Sequence, residues 1–364
     1  MDNIVDPNIT FDKEGVCNYW YEYHKKAEEK LIHGDEGKLK WQNAIEEIKG
    51  YSKNKKYDCI IGVSGGVDST YVAYLVKKAK LRPLVVHFDN GWNSEIAVGN
   101  INKIIEYLDA DLYTLVINWE EFRDLQRAYI KAGVVDIEAL TDHAIFGTLY
   151  RVAAEKNIKY VIGGLNVETE QVMPKTWNYS KIDHVNILDI HRQYGELELK
   201  TFPIFNTIRK KYYLNFKKLT FVSPLNWAPY NKAEVKEIIS EEIGWVDYGG
   251  KHHESIFTKF YQNYILPTKF RIDKRKAHLS NLICSGQLTK KEALKEMELP
   301  LYDKHELVED KEFVLKKLGF DEKEFDEIMR AKPKSHFDFK TELPIDEQFP
   351  ILKPIKRIYK AIKR

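Results

Sequence analysis

The segment VSGGVDST at residues 63–70 combines residue types that can bind a phosphate group. Its two glycines let the backbone turn tightly and approach an anion, and a helix that begins there would point its free N–H groups and positive dipole end at that anion. Ser64, Ser69 and Thr70 add hydroxyl donors. The segment lacks the Walker form GxxxxGK[ST], so it does not predict a kinase or GTPase site. An ordinary strand-to-helix turn is the competing interpretation, and it suits a bare pair of glycines better than this whole segment.

Short apolar runs alternate with helical periodicity from residue 57 onward. Each run is rich in β-branched residues and too short for a helix, so the runs predict parallel strands buried on both faces. Between them, apolar residues recur at the spacing of helices that cover a sheet. The predicted fold class is therefore α/β with a doubly wound parallel sheet. The predicted strands are residues 59–63, 84–88, 112–116, 160–162 and 219–222.

Sequence character divides the chain into three parts. Residues 1–50 are a polar, helical opening, residues 51–225 hold the predicted sheet, and residues 226–364 form a mostly helical C-terminal domain. An insertion at about 165–218 separates the fourth and fifth strands, and it is far longer than the ~2–6 residues usual between such elements. An insertion of that size at a sheet edge is usually functional.

Several local signals predict where helices begin and end. One helical stretch is expected from about Tyr19 to Ile48. In the C-terminal domain, three helix starts are predicted by a capping residue followed three positions later by Glu, and two helix ends are predicted by glycine. These positions are Asn231, Thr289 and Asp321 for the starts, and Gly244 and Gly319 for the ends.

Composition excludes several classes of protein. The 57 Lys and Arg nearly balance the 55 Asp and Glu, so the single-sign field of a dedicated nucleic-acid binder is not expected. No apolar run reaches the ~18 residues of a membrane span, and the opening sequence does not resemble a signal peptide, so we expect a cytoplasmic protein. Cys17, Cys59 and Cys284 form no CxxC pair, which predicts neither a disulfide framework nor a four-thiolate zinc site.

The SGGVDST segment resembles the pyrophosphate-binding loop (PP-loop) of the ATP pyrophosphatase superfamily, which has the adenine nucleotide alpha hydrolase-like fold. The resemblance implies that ATP adenylylates a carbonyl or carboxylate oxygen, and that a nitrogen or sulfur nucleophile then displaces AMP. It also implies that the loop holds pyrophosphate, with Asp68 near Mg²⁺. The implied pyrophosphate ligands are Ser64, Gly65, Gly66, Asp68 and Ser69, with Thr70 beside them.

The same resemblance assigns roles to residues after other strands. The segment HFDNG at residues 87–91 would meet the adenosine through His87, and Asp89 is a candidate Mg²⁺ ligand, although Asp-Asn-Gly is also plain turn chemistry. Asp142 takes the place where sulfur-transferring relatives carry a cysteine pair, and a plain helix N-cap is its competing role. The segment after the fourth strand is similar to the GHNxDDxxET segment of tRNA-modifying members. It supplies Gly163 and Gly164 as nucleotide contacts, and Asn166 and Glu168 as catalytic candidates.

Over nearly the whole chain, the sequence resembles the N-acetyl sugar amidotransferases of bacterial surface-polysaccharide and nonulosonic-acid pathways. The resembling segments include DPNITFDKEGVCNYW, HFDNGWNSEIAVGNI, DHAIFGTLYRVAAEKNIKYVIGG and the stretch from KHHESIFTKF to TKKEAL. The family implies that ATP activates the carbonyl oxygen of an acetamido group on a sugar, and that ammonia then gives an acetamidino group. No GxCxG elbow surrounds any cysteine, so the implied partners are a separate glutaminase and an ammonia-channelling synthase-like subunit.

Candidate substrate contacts lie in the C-terminal domain. His252 belongs to KHHE at residues 251–254, and KFRIDKR at residues 269–275 forms a cationic cluster. The cluster suits a sugar carboxylate or a nucleotide phosphate through Lys269, Arg271 and Arg275, whereas a solvated helix face is the alternative. The basic tail at residues 353–364 suits a partner, an anionic membrane surface or a simple terminal helix.

Three functional hypotheses follow. The first is the ATP-dependent amidotransferase acting on an acetamido sugar, with no nucleic acid involved. The second is a tRNA-modifying relative, which the basic aromatic stretch RKKYY at residues 209–213 favours and the near-neutral charge opposes. The third is a nucleotide-sensing or scaffold subunit that retains the loop.

Overall fold

A computed structural model describes residues 1–4, 6–250, 253–343 and 345–348. Its centre is one five-stranded sheet in the order β3-β2-β1-β4-β5, and every strand pair in it is parallel. The predicted doubly wound α/β fold class is therefore confirmed. The strands are β1 (Cys59–Val63), β2 (Pro83–Asp89), β3 (Leu112–Val116), β4 (Tyr160–Ile162) and β5 (Thr220–Val222).

Helices surround the sheet and make up most of the remaining described chain. Residues 261–270 form a π-helical segment, and short 3₁₀ turns occur at residues 224–226 and 336–338. The α-helices are α1 (Asn18–Lys30), α2 (Gly34–Ser52), α3 (Val67–Lys78), α4 (Glu95–Leu108), α5 (Trp119–Ala132), α6 (Ala139–Glu155), α7 (Val167–Glu170), α8 (His184–Tyr194), α9 (Thr207–Asn215), α10 (Lys232–Ile243), α11 (Ile256–Phe260), α12 (Arg275–Cys284), α13 (Lys290–Glu298), α14 (Lys304–Leu318), α15 (Glu322–Arg330) and α16 (Ile345–Gln348).

The strand order places a ligand crevice at β1. From β1 the chain moves to β2 and then β3 on one side, and β4 pairs with the other side of β1. Because the winding reverses between β1 and β4, their carboxyl ends leave a crevice between the loops that follow them, which is where doubly wound sheets bind ligands. Residues 63–70 and 163–170 are those two loops.

The outer strands correct one prediction. The prediction that all strands are buried on both faces is wrong for β3, where Leu112 is 42% and Val116 is 68% exposed. In β5, Thr220 and Phe221 are also exposed. Both strands lie at sheet edges, where fewer helices cover them, so apolar sequence alone does not distinguish them from the central strands.

The polar opening forms two helices where the sequence predicted one stretch. Residues 31–33 separate α1 from α2, and Gly34 begins α2 with a φ of +67°, a conformation that favours glycine. The Ile32 N–H donates to the Asn226 carbonyl at 2.9 Å. The residues between the two helices therefore connect the opening segment to the chain after β5.

The predicted helix signals of the C-terminal domain are confirmed. The side chains of Asn231, Thr289 and Asp321 each accept a backbone N–H at the start of α10, α13 and α15, and Thr289 forms a full capping box with Glu292. Gly244 and Gly319 end α10 and α14 in the left-handed conformation.

The largest apolar cluster joins the sheet-bearing part to the C-terminal helices. Phe122 on α5 and Phe202 in the insertion belong to the same cluster as Phe257, Leu315 and Phe325. All five side chains are buried. Within the described ranges, no helix has the length and apolar character needed to cross a membrane.

Candidate active site

The loop after β1 is organised by its own hydroxyls. The Ser69 hydroxyl donates to the Gly66 carbonyl at 3.1 Å, and the hydroxyl oxygens of Ser64 and Ser69 are 3.4 Å apart. The buried Thr70 hydroxyl donates to the same carbonyl at 2.7 Å. Gly66 is the N-cap residue of α3 and has no capping side chain, so the loop presents backbone N–H groups at the positive end of this helix.

Gly65 requires the conformation and the size of glycine. Its φ is +78°, and a Cβ there would lie 2.6 Å from the Ala97 carbonyl oxygen on α4. The Gly65 carbonyl accepts a bond of 2.9 Å from the Trp245 indole and one of 3.4 Å from the Asn100 amide. The loop is therefore held from one side by α4 and from the other by the residues after α10.

Two side chains of the C-terminal domain lie close to Gly66. A Cβ at this position would be 3.5 Å from the Tyr248 hydroxyl and 3.7 Å from Glu254 Oε1. Burial, together with the charge of Glu254, raises the pKa of Tyr248. The hydroxyl thus stays protonated and can donate a hydrogen bond beside the loop.

Asp68 lies where the loops after β1 and β4 meet. The Tyr230 hydroxyl donates to the Asp68 carboxylate. Burial, with the charge of Asp68, raises the pKa of Tyr230 and keeps it a donor. A Cβ on Gly164 would be 3.0 Å from that of Asp68, so these two loops touch as the strand order requires. Gly163 continues the sheet by donating its N–H to the Val222 carbonyl at 2.9 Å.

The end of β4 carries a buried polar pair. Asn166 accepts the Glu168 N–H at 2.9 Å, and its buried Nδ2 makes no hydrogen bond to any residue that the structure describes, so it can serve a ligand. Glu168 accepts from the Gln287 amide at 2.9 Å and lies 3.2 Å from His33 Nε2. Burial raises the pKa of Glu168 to about 7, against the Gln287 hydrogen bond.

Gln287 connects this pair to the first loop. Its amide also donates to the backbone carbonyl of Tyr230 at 3.0 Å, and the Tyr230 hydroxyl contacts Asp68. Asp68 and Glu168, predicted separately from two sequence segments, are thus joined by two residues of the C-terminal domain.

The end of β2 is held by its own turn. The His87 Nδ1 lies 3.0 Å from the Val63 carbonyl, so it carries the proton, and Nε2 accepts from the Asn93 amide at 3.1 Å. Asp89 accepts the Gly91 N–H at 2.8 Å. This is the turn interaction that is the alternative to Mg²⁺ binding for this residue. Burial lowers the pKa of Lys317 on α14, and the charge of Asp89 opposes this effect.

A second polar cluster lies at the start of α6. Lys181 contacts Asp136 at 2.7 Å and Asp142 at 3.4 Å. Burial would lower the pKa of Lys181, but these two carboxylates outweigh burial and raise it. Glu138, and not Asp142, is the N-cap residue of α6, so the simple N-cap role weighed for Asp142 does not apply.

The predicted cationic cluster is divided among different contacts. The Lys269 ammonium donates to the carbonyls of Ile328 and Ala331 at 2.6 and 2.7 Å, at the end of α15. Arg275 pairs with Asp273 at 2.8 Å and also donates to two carbonyls at the C-terminal end of α13. Arg271 is exposed and ends the π-helical segment with a φ of +59°. His252 and the tail at 353–364 lie outside the described residues.

Sequence reasoning missed the residues that hold the loop from the C-terminal domain. All of these side chains are more than 150 positions from the loop in the sequence: Tyr230, Trp245, Tyr248 and Gln287. The residues joined by the Tyr230–Asp68 and Trp245–Gly65 hydrogen bonds, for example, are 162 and 180 positions apart. The aromatic segment WVDYGG at 245–250 was the available signal. Such a segment, directly after a helix-ending glycine, is unusual for a solvated linker.

A comparison with protein families matches part of the chain to a family model. Residues 254–353 match the family model described as LPS biosynthesis protein WbpG-like, C-terminal domain. We call this part of the chain the WbpG-like region because of its similarity to that family model. The resemblance to surface-polysaccharide biosynthesis proteins, predicted from the sequence, is thereby confirmed for the WbpG-like region, which contains Glu254, Gln287 and the cationic cluster. No curated protein matches the sequence.

The solved structures that align with this chain include an NAD synthetase and a predicted tRNA methyltransferase subunit. The NH3-dependent NAD synthetase from Campylobacter jejuni subsp. jejuni aligns at 17% identity with a TM-score of 0.34, over 83% of this chain and 97% of that one. A predicted subunit of tRNA methyltransferase from Methanocaldococcus jannaschii aligns at 12% identity with a TM-score of 0.27, over 50% and 75%. The fold class assigned above rests on the sheet and its strand order.

The donors present fit a bound pyrophosphate group. The loop offers two hydroxyls, uncapped backbone N–H groups and a glycine that allows close approach. Across the described part of the chain, no three His, Cys, Asp or Glu side chains are grouped to hold a metal ion by themselves. Mg²⁺ at nucleotide sites uses one or two carboxylates plus phosphate oxygens, so Asp68 at the loop suits this arrangement.

Proposed function

We propose that this protein is an ATP-dependent amidotransferase that converts the acetamido group of a sugar into an acetamidino group. The observation that carries the proposal is the loop at 63–70, which lies at the β1/β4 crevice under the Trp245 indole, with a WbpG-like region in the same chain. The crevice supports nucleotide binding, and the WbpG-like region supports a substrate from surface-polysaccharide synthesis.

The proposed reaction has two steps. The acetamido carbonyl oxygen attacks the α-phosphorus of ATP, a new P–O bond forms, and pyrophosphate leaves. Ammonia then attacks the activated carbon, the C–O bond breaks, AMP leaves with the former amide oxygen, and the nitrogen loses protons to give the acetamidino group. An amide carbonyl is a poor electrophile, so adenylylation supplies the leaving group that direct attack by ammonia lacks.

The residues of the loop stabilise the charge that develops. The Ser64 hydroxyl can donate to the leaving pyrophosphate oxygens, and so can Ser69 once its hydroxyl turns away from the Gly66 carbonyl, which Thr70 still serves. The N–H groups at the start of α3 can do the same. Bound Mg²⁺ would supply further charge neutralisation at the phosphates. Tyr230 orients Asp68, and the Asn166 Nδ2, which has no hydrogen-bond partner among the described residues, is available to bind the reacting group.

The test measures AMP and pyrophosphate released by the purified full-length chain. ATP, MgCl2 and ammonium chloride are supplied with a panel of nucleotide-linked and acidic acetamido sugars. We expect sugar-dependent release of both products, and mass spectrometry should detect the exchange of the acetamido oxygen for NH. If no acetamido sugar stimulates turnover, the proposal is wrong.

The nitrogen source supplies a second test. No glutaminase elbow surrounds Cys17, Cys59 or Cys284, and the thiol of Cys59 is fully buried with a raised pKa. We therefore expect ammonium to support turnover and glutamine to fail unless a separate glutaminase and its channelling subunit are added. Efficient use of glutamine by the isolated chain would contradict the proposed partners.

One observation favours the tRNA alternative. Helix α9 has no buried residue, and Tyr212 stacks on Phe216 at 5.8 Å on a surface that also carries Arg209 and Lys211. Exposed aromatic and cationic side chains together suit unpaired RNA bases and phosphates. Turnover stimulated by tRNA and by no acetamido sugar would establish this alternative.

A further inference from the structure

Glu168 on α7 and His33 form a polar pair that runs from the buried site towards solvent. Glu168 Oε1 lies 3.2 Å from His33 Nε2, and the exposed fraction of the side chain rises from 9% for Glu168 to 41% for His33. Burial raises the pKa of Glu168 to about 7, so its carboxyl can gain and lose a proton near neutral pH. An imidazole does the same in this range. The pair can therefore carry a proton between the site and water.

Gln287 determines which oxygen of Glu168 is best placed to carry that proton. The Gln287 Oε1 accepts the backbone N–H of Lys232 at 3.0 Å, which fixes the orientation of the amide. Its Nε2 therefore faces Glu168 and donates to Oε2 at 2.9 Å. Because Oε2 already accepts this bond, a proton taken up by the carboxyl is best placed on Oε1, the oxygen that faces His33.

One buried residue, Asn226, holds the backbone beside both members of the pair. Its carbonyl accepts the Ile32 N–H and its side-chain oxygen accepts the Val167 N–H, both at 2.9 Å. Ile32 and Val167 directly precede His33 and Glu168 in the chain. The approach of the two side chains is thus fixed by the backbone on either side, unlike the contact of two mobile side chains on a surface.

The other titratable groups near this pair do not compete for the proton. Helix α7 packs against α1 and α12, which place Tyr23 and Cys284 in one apolar cluster with it. Burial raises the pKa of Tyr23, and it raises that of Cys284 to about 11, so both stay neutral near pH 7. The carboxylates of Asp68 and Glu170 lie on the side of the loop, where their charges act on the Tyr230 hydroxyl.

Two buried polar atoms beside Glu168 indicate a ligand at this place. The Asn166 Nδ2 and the Thr169 hydroxyl make no hydrogen bond to any residue that the structure describes. Asn166 is 4% and Thr169 is 7% exposed, and the Asn166 Oδ1 of the same amide accepts the Glu168 N–H at 2.9 Å. Since buried polar groups are normally hydrogen-bonded, a bound polar group would complete this site.

Two contacts connect this place to the loop at 63–70. Gly164 is two residues before Asn166, and a Cβ on it would be 3.0 Å from that of Asp68. Gln287 also donates to the Tyr230 carbonyl at 3.0 Å, and the Tyr230 hydroxyl donates to the Asp68 carboxylate. A group that reacts at the loop is therefore close to the segment that carries Asn166 and Thr169.

The proposed reaction must dispose of two protons. Ammonium carries four protons, and the new nitrogen of an acetamidinium group keeps two. One proton leaves before ammonia attacks the activated carbon. The other leaves from the tetrahedral intermediate, before the C–O bond breaks and AMP departs. A base beside the reacting nitrogen must accept each of them in turn.

We propose that Glu168 accepts these protons from the attacking nitrogen and that His33 passes them to solvent. This inference rests on the proposed function and names the base and the proton exit of the same site. The carboxylate takes a proton on Oε1, the neutral imidazole takes it at Nε2, and the imidazolium releases a proton from Nδ1 to water. Glu168 is then a carboxylate again and accepts the second proton. Glu168 acts on the substrate directly, whereas His33 acts only through Glu168.

The experiment compares wild type with His33→Ala, Glu168→Gln and the control His305→Ala. His305 is an exposed histidine on α14, so its removal takes away an imidazole without touching the pair. Pyrophosphate and AMP are measured with ATP, MgCl2, ammonium chloride and one of two probes, UDP-N-acetylglucosamine or N-acetylneuraminate. Each assay is repeated with added imidazole, and thermal unfolding by circular dichroism checks that each variant folds.

We expect Glu168→Gln to lower the rate of AMP release at least about 100-fold, as the loss of a general base does. Its release of pyrophosphate in the first turnover should be unchanged, because adenylylation precedes the removal of protons from ammonium. His33→Ala should slow AMP release at least about 10-fold, and added imidazole should restore most of this loss. Imidazole should not restore Glu168→Gln, and His305→Ala should behave as wild type.

The possible failures are distinguishable. If wild type turns over a probe, this inference is overturned by wild-type AMP release in folded Glu168→Gln or by an equal loss of pyrophosphate and AMP release in it. An unchanged rate in His33→Ala, or a loss that imidazole does not restore, also overturns it, and the proposed function stands in each case. If wild type releases no AMP with either probe or with the wider sugar panel, the proposed function fails and the inference fails with it.

Discussion

Asp68 is the residue on which the candidate site depends most directly. It lies in the loop after β1, receives a hydrogen bond from Tyr230 and packs against the loop after β4. We expect Asp68→Ala to lower the release of pyrophosphate at least about 100-fold, because a preorganised charged group at the reacting phosphates is lost. The fold should survive, since the neighbouring loop hydrogen bonds do not use this carboxylate.

The matched control is Glu241→Ala, which removes an exposed carboxylate from α10. Pyrophosphate release and thermal unfolding are measured for both variants. Unchanged turnover in a folded Asp68→Ala protein would refute the assignment of the loop.

Glu138 makes a prediction about stability and pH. Its pKa is raised to about 7 in the folded protein, mainly by burial. A carboxyl of this kind contributes stability that is fully present below its ordinary pKa of ~4.5 and is lost as the pH rises through its folded value. The side chain in Glu138→Gln does not titrate, so the variant does not lose this stability as the pH rises. Its amide oxygen can still accept from the Thr258 hydroxyl.

We therefore expect the difference in unfolding free energy between Glu138→Gln and wild type to shift in favour of the variant by about 2 kcal/mol between pH 5 and pH 8.5. Urea denaturation at both pH values measures the difference. A constant difference across this range would show that Glu138 ionises normally.

At the scale of elements, the close approach of the β1 loop to α4 determines the shape of the site. Gly65 has a positive φ, and a Cβ there would lie 2.6 Å from the Ala97 carbonyl oxygen. We expect Gly65→Ala to destabilise the protein by about 1–3 kcal/mol and to raise the KM for ATP, because the loop must move away from α4.

Gly99→Ala on the same helix α4 is the matched control. A Cβ on Gly99 meets no atom within 4 Å and its φ is not positive, so alanine should stabilise the helix by up to about 1 kcal/mol. Both variants are compared by thermal unfolding and by ATP titration. Equal effects of the two substitutions would argue against the close approach.

The elements show what a single sequence can and cannot predict. Strands β1, β3 and β4 have the predicted bounds, because a continuous apolar run between turn residues has few other solutions in an α/β chain. The exposure of Val116 was not predictable, because it depends on which strand lies at the sheet edge. The break between α1 and α2 depends on a contact with Asn226, which no local pattern records.

The candidate site likewise has a part that the sequence can predict and a part that it cannot. The placement of Asp68, Gly164, Asn166 and Glu168 at one end of the sheet was predictable, because strand ends collect at one sheet edge whatever the helices do. The contacts of Tyr230 and Gln287 required the C-terminal helices to be placed in space. For the same reason the sequence indicated a cationic cluster at 269–275 but did not indicate that Lys269 and Arg275 donate to backbone carbonyls elsewhere in the chain.

At the scale of the whole molecule, one apolar cluster contains side chains from both the sheet-bearing part and the C-terminal part of the chain. Phe122 and Phe202 share a cluster with Phe257 and Leu315. A fragment of residues 1–225 would expose the first pair to water, and each buried phenylalanine contributes on the order of 2–3 kcal/mol. We expect this fragment to lack a cooperative thermal transition, whereas the full chain unfolds in one.

Circular dichroism melting and limited proteolysis of the fragment and the full chain measure this difference. A fragment that melts cooperatively near the full-length temperature would show that the C-terminal helices are dispensable for folding. Such a result would also mean that the loop at 63–70 keeps its shape without the hydrogen bond from Trp245.

The hydrogen bond from Trp245 to the Gly65 carbonyl also has an optical consequence. The fluorescence of an indole depends on the polarity and hydrogen bonding of its surroundings. A ligand that binds to the loop would change both around Trp245. Trp245 is buried and meets Tyr248 edge to face with ring centroids 5.5 Å apart, so its share of the emission of the seven tryptophans should change when the loop is occupied. If the proposed ATP site is correct, the difference in emission between wild type and a Trp245→Phe variant measures nucleotide affinity before any sugar has been identified.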